Sequence, residues 1–410
     1  MITFFFYKKG IGGVQNLYLN LIKELSKRGI TVKLVYFKDS WLTKELDRFN
    51  IHYELFDLEK ENTENINSFV LPDDILIDTG FGGNLFRFYK INPYFLFWNV
   101  YPIALGSKAK NCLKKYLLRH IIMKMQQNFG LVFMDDSGVK NIKHVYNIDN
   151  NIYYLPVPIE IPSDSNEITL YDFSIKNSKK FIPISYIGRA ELWKVIPVKK
   201  ILINLELITR ELNKCFCFHI ITDNKEEFEK LLDFESPKSI KIEYHTDLFG
   251  EKLEKYLFSE ILINFAMGSS CLESAAVGIP SILLDFYSFS TTSNLINCKY
   301  RWLYETTNYN LGNLLEQDQE VKGHDLLDIF KNITSNVYLK EISDKCYSYV
   351  KENHNLEIVT NNFLQYTKLC NNKLKPCLRY SFTYLKYETG FMFMKKIYYF
   401  FHKPQNDFYD

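Results

Sequence analysis

The stretch that decides the fold is Ile2-Thr-Phe-Phe-Phe-Tyr7, continued by Lys8-Lys-Gly-Ile-Gly-Gly13, Val14–Arg28, Gly29 and Thr31–Phe37. The first six residues form a short apolar run, as expected of a strand buried on both faces of a sheet. Lys8–Gly13 reads as a loop. Val14–Arg28 places Leu17, Leu21, Ile22 and Leu25 at helical spacing, and Gly29 is positioned to end that helix in a left-handed conformation. Thr31–Phe37 is the next strand. Strand, glycine loop, helix and strand then recur through Asp74–Asp78, Tyr94–Val100 and Gly130–Met134. Such alternation implies a parallel sheet with helices on both faces.

Between Leu155 and Lys180 the pattern breaks. Pro156, Pro158 and Pro162 lead into a polar stretch without periodicity, which marks an inter-domain linker. A second alternation begins at Ile182–Ile187 and continues through Cys215–Thr222, Ile240–Tyr244, Ile261–Phe265 and Ser281–Asp285. A chain of 410 residues is too long for one ordinary core. The expected organisation is an amino-terminal domain over 1–160, a second α/β domain over 180–370, and a basic aromatic tail over 371–410.

Hydrophobic residues make up 47% and charged residues 24% of the chain, so it belongs with folded rather than disordered proteins. The eight cysteines show no metal-ligand spacing. Cys215 and Cys217 lie in an apolar run, and all eight read as reduced packing residues of a cytosolic protein. No apolar run reaches the length that spans a bilayer, and the start MITFFFYKKG lacks the features of a signal peptide. The expected location is the cytoplasm. Nucleic acid is not an expected partner.

Two stretches carry chemistry. Ser185-Tyr-Ile-Gly-Arg-Ala-Glu-Leu-Trp-Lys194 ends a strand at Gly188 and places Arg189 and Lys194 just beyond it. Ligands of open parallel sheets bind beyond the carboxyl ends of the strands, and fixed cations there stabilise the charge that develops on a departing diphosphate. Ile261-Leu-Ile-Asn-Phe-Ala-Met-Gly-Ser-Ser-Cys-Leu-Glu-Ser-Ala-Ala-Val-Gly-Ile-Pro280 reads as a buried strand, a turn at Gly268–Ser270 and a short helix stopped near Gly278 and Pro280. Backbone N–H groups at a helix start attract anions. Ser269 and Ser270 add hydroxyl donors, and Glu273, expected in the first turn, can accept from ribose hydroxyls. A solvated basic loop and an ordinary helix cap are the alternatives for the two stretches taken singly.

Taken together, Gly188-Arg189, Lys194, Gly268-Ser-Ser270, Leu272-Glu273, Ala275-Ala276 and Gly278-Ile-Pro280 resemble the large family of glycosyltransferases related to sucrose synthase and bacterial mannosyltransferases. Gly12-Gly13-Val14-Gln15 and Leu21–Val32 resemble that family's first domain, and the similarity runs through most of residues 1–370. The resemblance implies a GT-B fold, two facing Rossmann-like domains, each a parallel sheet with helices on both faces. It implies transfer of a sugar from a UDP- or GDP-linked donor to a glycan or lipid-linked acceptor, with cell-surface polysaccharide (lipopolysaccharide or capsule) as the expected product. It also implies that Arg189 and Lys194 contact the donor diphosphate, that Glu273 contacts ribose, and that Gly12 and Gly13 lie by the acceptor and sugar. The chain departs from the family at Phe265, where many members carry a second glutamate, and at Phe97-Trp-Asn-Val-Tyr-Pro102, which offers Asn99 and Tyr101 where a histidine is common. A nucleotide-sugar epimerase of the same build and a non-catalytic scaffold subunit are the rival readings.

Other candidates are weaker. Asp73-Asp74 precedes its strand, badly placed for a metal pair; Asp135-Asp136 does follow a strand, but the favoured reading is that Ser137 caps the next helix. His120, His144 and His219 are scattered and read as packing or surface residues. Lys8–Gly13 lacks the Walker pattern, so neither a metal, a cofactor nor ATP is expected. Ile103–Met134 contains no acidic residue but carries Lys108, Lys110, Lys114, Lys115, Arg119 and Lys124. Lys373–Lys403 has seven Lys/Arg against Glu388 alone, interleaved with aromatics including Tyr380, Phe382, Tyr384, Phe391, Phe393, Tyr398 and Phe401. Both segments suit contact with an anionic membrane surface, the alternatives being a solvated face for the first and, for the tail, a helix packed back across the domains.

Overall fold

A computed structural model describes residues 1–10, 12–60, 65–80, 83–101, 105, 112–148, 151–162, 176, 179–287, 299–315 and 322–378. The chain forms two compact units. The first comprises Met1–Met134, Gly138–Leu155 and the chain from Phe363 onward; the second comprises Asp135–Ser137 and Pro156–Asn362.

In the first unit, β1 (Ile2–Phe5), α1 (Gly13–Lys27) and β2 (Val32–Tyr36) follow the reading of the opening stretch. Every residue of both strands is buried, and α1 turns Leu17, Leu21, Ile22 and Leu25 inward. Gly29, at φ +72°, ends the helix. Its N–H donates to the Ser26 carbonyl at 2.9 Å and the Ile30 N–H to that of Leu25 at 3.0 Å, the paired bonds that satisfy a helix end. Then come α2 (Trp41–Arg48), β3 (Tyr53–Asp57), α3 (Ile66–Phe69), β4 (Ile75–Asp78), β5 (Tyr94–Asn99), α4 (Cys112–Gln127), β6 (Leu131–Phe133) and α5 (Asp136–Tyr146). The strands lie in the order β3-β2-β1-β4-β5-β6, all parallel.

The second unit contains β7 (Phe181–Ile187), α6 (Leu192–Leu212), β8 (Cys215–Ile221), α7 (Lys225–Leu232), β9 (Ile240–His245), α8 (Glu251–Glu260), β10 (Ile263–Ala266), α9 (Ser269–Ala276) and β11 (Ser281–Leu283). After these come β12 (Phe286–Tyr287), β13 (Arg301–Trp302), β14 (Leu314–Leu315), α10 (Leu326–Asn332), α11 (Asn336–Asn353) and α12 (Leu356–Leu369). Its main sheet runs β13-β11-β10-β7-β8-β9, parallel except for the β11–β13 edge pair. Both main sheets therefore start at a central strand, wind outward to one edge, and return to wind the other way. In each, the direction reverses beside the first strand, between β1 and β4 and between β7 and β10. Each unit is a Rossmann-like domain.

The carboxyl-terminal boundary differs from the expected one at 370. Helix α12 crosses from the second unit to the first at Phe363. Phe363 packs against Phe4 and Trp98, with ring centroids 6.0 and 6.4 Å apart. The Phe95 N–H donates to the Asn372 carbonyl at 2.7 Å, and Asn372 Nδ2 donates back to the Phe95 carbonyl at 2.9 Å. Leu374, Cys377 and Leu378 are buried, so 371–378 is core rather than tail. The rest of the basic aromatic tail, with Tyr380 and the later aromatics, lies outside the described residues. No described helix is long and apolar enough to cross a membrane.

Candidate functional site

The two stretches singled out in the second domain flank its reversal point. Arg189 and Lys194 follow β7, Gly268–Glu273 follow β10, and these strands pair directly, Ala266 opposite Ile187. The carboxyl-terminal mouth between such strands is the ligand crevice of this architecture.

The β7 loop is built around Gly188. A side chain there would collide with the Tyr186 ring, whose hydroxyl donates to the Lys194 carbonyl at 3.3 Å. The Gly188 N–H donates to the Ile221 carbonyl at 3.0 Å and the Ala190 N–H to Asp223 Oδ1 at 2.9 Å, so the loop is fastened to β8 and the residues just beyond it. Glu191 bridges the two cations: Arg189 Nη1 lies 3.1 Å and Lys194 Nζ 3.7 Å from its carboxylate. Arg189 is half exposed, whereas Lys194 retains 12% of its side-chain exposure and lies 4.8 Å from the centre of the Trp193 ring. Burial and the adjacent Arg189 guanidinium lower the Lys194 pKa, against the pull of Glu191 and Asp223. The guanidinium and the ammonium are thus held close, with one carboxylate between them.

Across the crevice, Gly268 stands at the N-cap of α9 with φ +67°, a left-handed geometry that favours glycine. No side chain caps the helix start, and Ser269 and Ser270 are half-buried. Glu273 is the fifth helical residue, not in the first turn as expected, because the helix starts at Ser269. It is half-buried and has no hydrogen-bond or ion-pair partner among the described residues. Burial, with the Glu254 carboxylate adding to it, pushes its pKa up to about 7. A carboxylate so poorly solvated gains strongly from two hydroxyl donors.

Beneath the site lies a buried polar chain that the sequence did not announce. Ser185 Oγ donates to Asn264 Oδ1 at 2.7 Å, Asn264 Nδ2 to Ser274 Oγ at 2.8 Å, and the Ser274 and Ser281 hydroxyls are 2.8 Å apart. All four residues are fully buried. The chain ties β7, β10, β11 and α9 together and so fixes the separation of the two halves of the crevice.

In the first domain, Gly12 caps α1 in extended backbone and is half-buried, while Gly13 is exposed. Both follow β1, at that sheet's reversal point. Asn99, at the end of β5, is buried with neither side-chain polar atom bonded among the described residues. Phe265, in the position of the family's second glutamate, is a fully buried strand residue. Asp74 is a structural anchor, 2.9 Å from Lys33 Nζ and 3.0 Å from the terminal amine. At the start of α5 the expected cap is inverted: Asp135 Oδ1 accepts from the Ser137 N–H at 2.9 Å and pairs with its hydroxyl. His120 and His144 are exposed, but His219 is not isolated; its neighbours are described below.

No protein-family model matches the chain, and no curated protein sequence does. Solved structures do. A glycosyltransferase from Rickettsia africae superposes with a TM-score of 0.59 at 14% identity, covering 90% of this chain and 98% of that one. The fold is GT-B. Anabaena HepE, solved with UDP and glucose, aligns at TM-score 0.56 and 10% identity over 90% of this chain and 99% of its own. An alpha-glucosyltransferase in complex with UDP gives 0.52 and 14%, with coverage of 89% and 99%. At these identities the GT-B likeness concerns architecture; the chemistry has to come from the residues.

Proposed function

We propose that this protein transfers a sugar from a UDP- or GDP-linked donor to a glycan or lipid-linked acceptor, in cell-surface polysaccharide synthesis. One observation carries the reading: the paired cations Arg189 and Lys194 and the α9 start with Glu273 stand on the two strands that flank one reversal point. The donor diphosphate replaces Glu191 between Arg189 and Lys194 and meets the N–H groups and hydroxyls of Ser269 and Ser270. Gly268 gives the turn its close backbone, and Glu273 accepts from the ribose. As the glycosidic bond to phosphate breaks, the negative charge left on the diphosphate is met by groups already in place. Two fixed cations fill the role a divalent ion would otherwise play at the diphosphate, so no metal takes part in this step. Gly12 and Gly13 lie by the acceptor and sugar. That similar folds were solved with UDP, or with UDP and glucose, supports the donor class.

We also propose that the enzyme works in the cytoplasm, against the inner face of the plasma membrane. In α4, Lys115, Arg119 and Lys124 are exposed together with Tyr116, while Ile121, Ile122 and Met125 face inward, which supports a basic, aromatic outer face. Lys108 and Lys110 lie outside the described residues. Calorimetric titration with UDP and GDP, followed by release of free nucleotide from candidate nucleotide sugars with and without glycan acceptors, tests the transfer reading. Acceptor-dependent release supports it. Failure to bind either nucleotide, or epimerised nucleotide sugar without acceptor, overturns it. Added Mg²⁺ or Mn²⁺ should leave the rate unchanged.

A further inference from the structure

Strands β8 and β9 pair in parallel with His219 opposite Glu243. Residues two apart share a face, so Cys217 and His219 of β8 and Glu243 and His245 of β9 share one. Helix α8 covers that face with Tyr256. Four donor-bearing side chains therefore converge at the sheet edge, on strands not used in the proposed transfer chemistry. His219 Nδ1 is 3.3 Å from His245 Nε2 and 3.4 Å from Glu243 Oε2, and His245 Nε2 is 4.0 Å from the same oxygen. The donor atoms of Cys217, His219 and Glu243 all lie within 4.8 Å of one another. Cys217 and His219 are buried, whereas Glu243 and His245 are about a third and a fifth exposed, leaving a solvent path to the cluster.

We infer that Cys217, His219, Glu243 and His245 form a binding site for a zinc-type transition-metal ion. The distances carry the assignment. A tetrahedral ion with bonds of about 2.0–2.1 Å to nitrogen and oxygen separates those ligand atoms by about 3.3–3.4 Å, and a thiolate at about 2.3 Å lies about 3.6 Å from a nitrogen ligand. Two of the three N···N and N···O separations already match, the third is long by about 0.6 Å, and Cys217 Sγ, within 4.8 Å of the His219 and Glu243 donor atoms, closes in by a side-chain rotation on binding. The donor set selects the metal class. Thiolate and imidazole favour zinc and its neighbours, whereas magnesium and calcium take oxygen ligands. On binding, the Cys217 thiol loses its proton to solvent and its sulfur coordinates as thiolate. The Tyr256 hydroxyl, 2.9 Å from both imidazole nitrogens, gives up those contacts to the ion. The ion clamps edge strand β9 to β8 beneath α8, the helix that also carries Glu254, the carboxylate beside Glu273. Its role is structural and separate from sugar transfer.

The test uses the full chain, stripped with EDTA, dialysed, and titrated with ZnCl₂ by calorimetry. One ion per chain with a dissociation constant of about 1 µM or below is expected, and the melting temperature should rise by several degrees at saturation. Glu243→Gln and His245→Gln alter the two more exposed ligands and keep side-chain volume; each should weaken binding at least about tenfold. Each should also melt with the wild type in EDTA, which separates lost ligation from misfolding. Cobalt(II) provides the second readout: a thiolate-to-metal charge-transfer band in the wild type, absent from Cys217→Ser. No stoichiometric binding, binding unchanged in both glutamine variants, or a cobalt spectrum indifferent to Cys217→Ser overturns the site. UDP titration of the same samples is independent of these outcomes.

Discussion

Glu273→Gln should move stability and nucleotide affinity in opposite directions. In the folded protein Glu273 has a pKa of about 7, against 4.5 without the fold, because burial and Glu254 disfavour its charge. A raised carboxylate pKa means that the folded state holds the proton more tightly. Its contribution to stability is complete below about pH 4.5 and is lost as pH rises through about 7. The difference of about 2.5 units corresponds to about 3 kcal/mol at pH 8, shrinking to about 1 kcal/mol at pH 5. Glutamine carries no titrating charge, so the variant should be more stable than wild type by up to that amount at pH 8 and nearly equal to it near pH 4.5. Urea unfolding of both proteins at pH 4.5, 6 and 8 reads this directly. The same substitution removes the charged acceptor proposed for ribose, so UDP or GDP affinity at pH 8 should fall by about 1.5–3 kcal/mol. Parallel pH dependence in the two proteins would refute the burial argument. Unchanged affinity for both nucleotides would reduce Glu273 to a helix residue without a ligand.

Arg189→Ala and Lys194→Ala should each cut transfer at least about a hundredfold with modest loss of stability; wild-type turnover in either purified, folded variant would end the diphosphate assignment. Asn264→Leu strips Ser185 and Ser274 of a buried partner and should cost about 1–3 kcal/mol in the second domain, and an unaltered unfolding transition would show that the chain of hydroxyls is not holding the crevice together. Removing residues 379–410 should leave the fold and nucleotide binding intact while reducing sedimentation with anionic vesicles at low salt, each basic residue near the surface contributing about 1 kcal/mol. Removing residues 373–410 should instead expose the core that Leu374 and Leu378 cover and yield an unstable chain; a stable product of that deletion would contradict the packing.

What could be read from the sequence depended on whether a feature was local along the chain. Strands β1 and β2 are buried on both faces, so their sequences are mostly apolar, broken only by Thr3 and by Lys33, which pairs with Asp74, and α1 announces its period through Leu17, Leu21, Ile22 and Leu25. The loops after β7 and β10 were visible because glycine is forced there, by the Tyr186 ring at Gly188 and by positive φ at Gly268. Strand β3 escaped notice because it is an edge, with Tyr53 and Leu55 only partly covered and Glu54 exposed, so no continuous apolar run marks it. The crossing at Phe363 escaped for a different reason. Periodicity shows that a helix has a buried face, and Phe363 is apolar on either side of the crossing, but nothing local states which sheet supplies the partner. The His219 cluster is the extreme case. Its members come from positions 217, 219, 243 and 245, and they meet only because β8 and β9 pair in the register that sets His219 against Glu243. Shifting that register by one residue would point one strand's pair to the opposite face, and no spacing rule along the chain could distinguish the two arrangements. Sites made by one loop at a strand end can therefore be proposed from sequence, whereas sites made by the side chains of neighbouring strands require the register first.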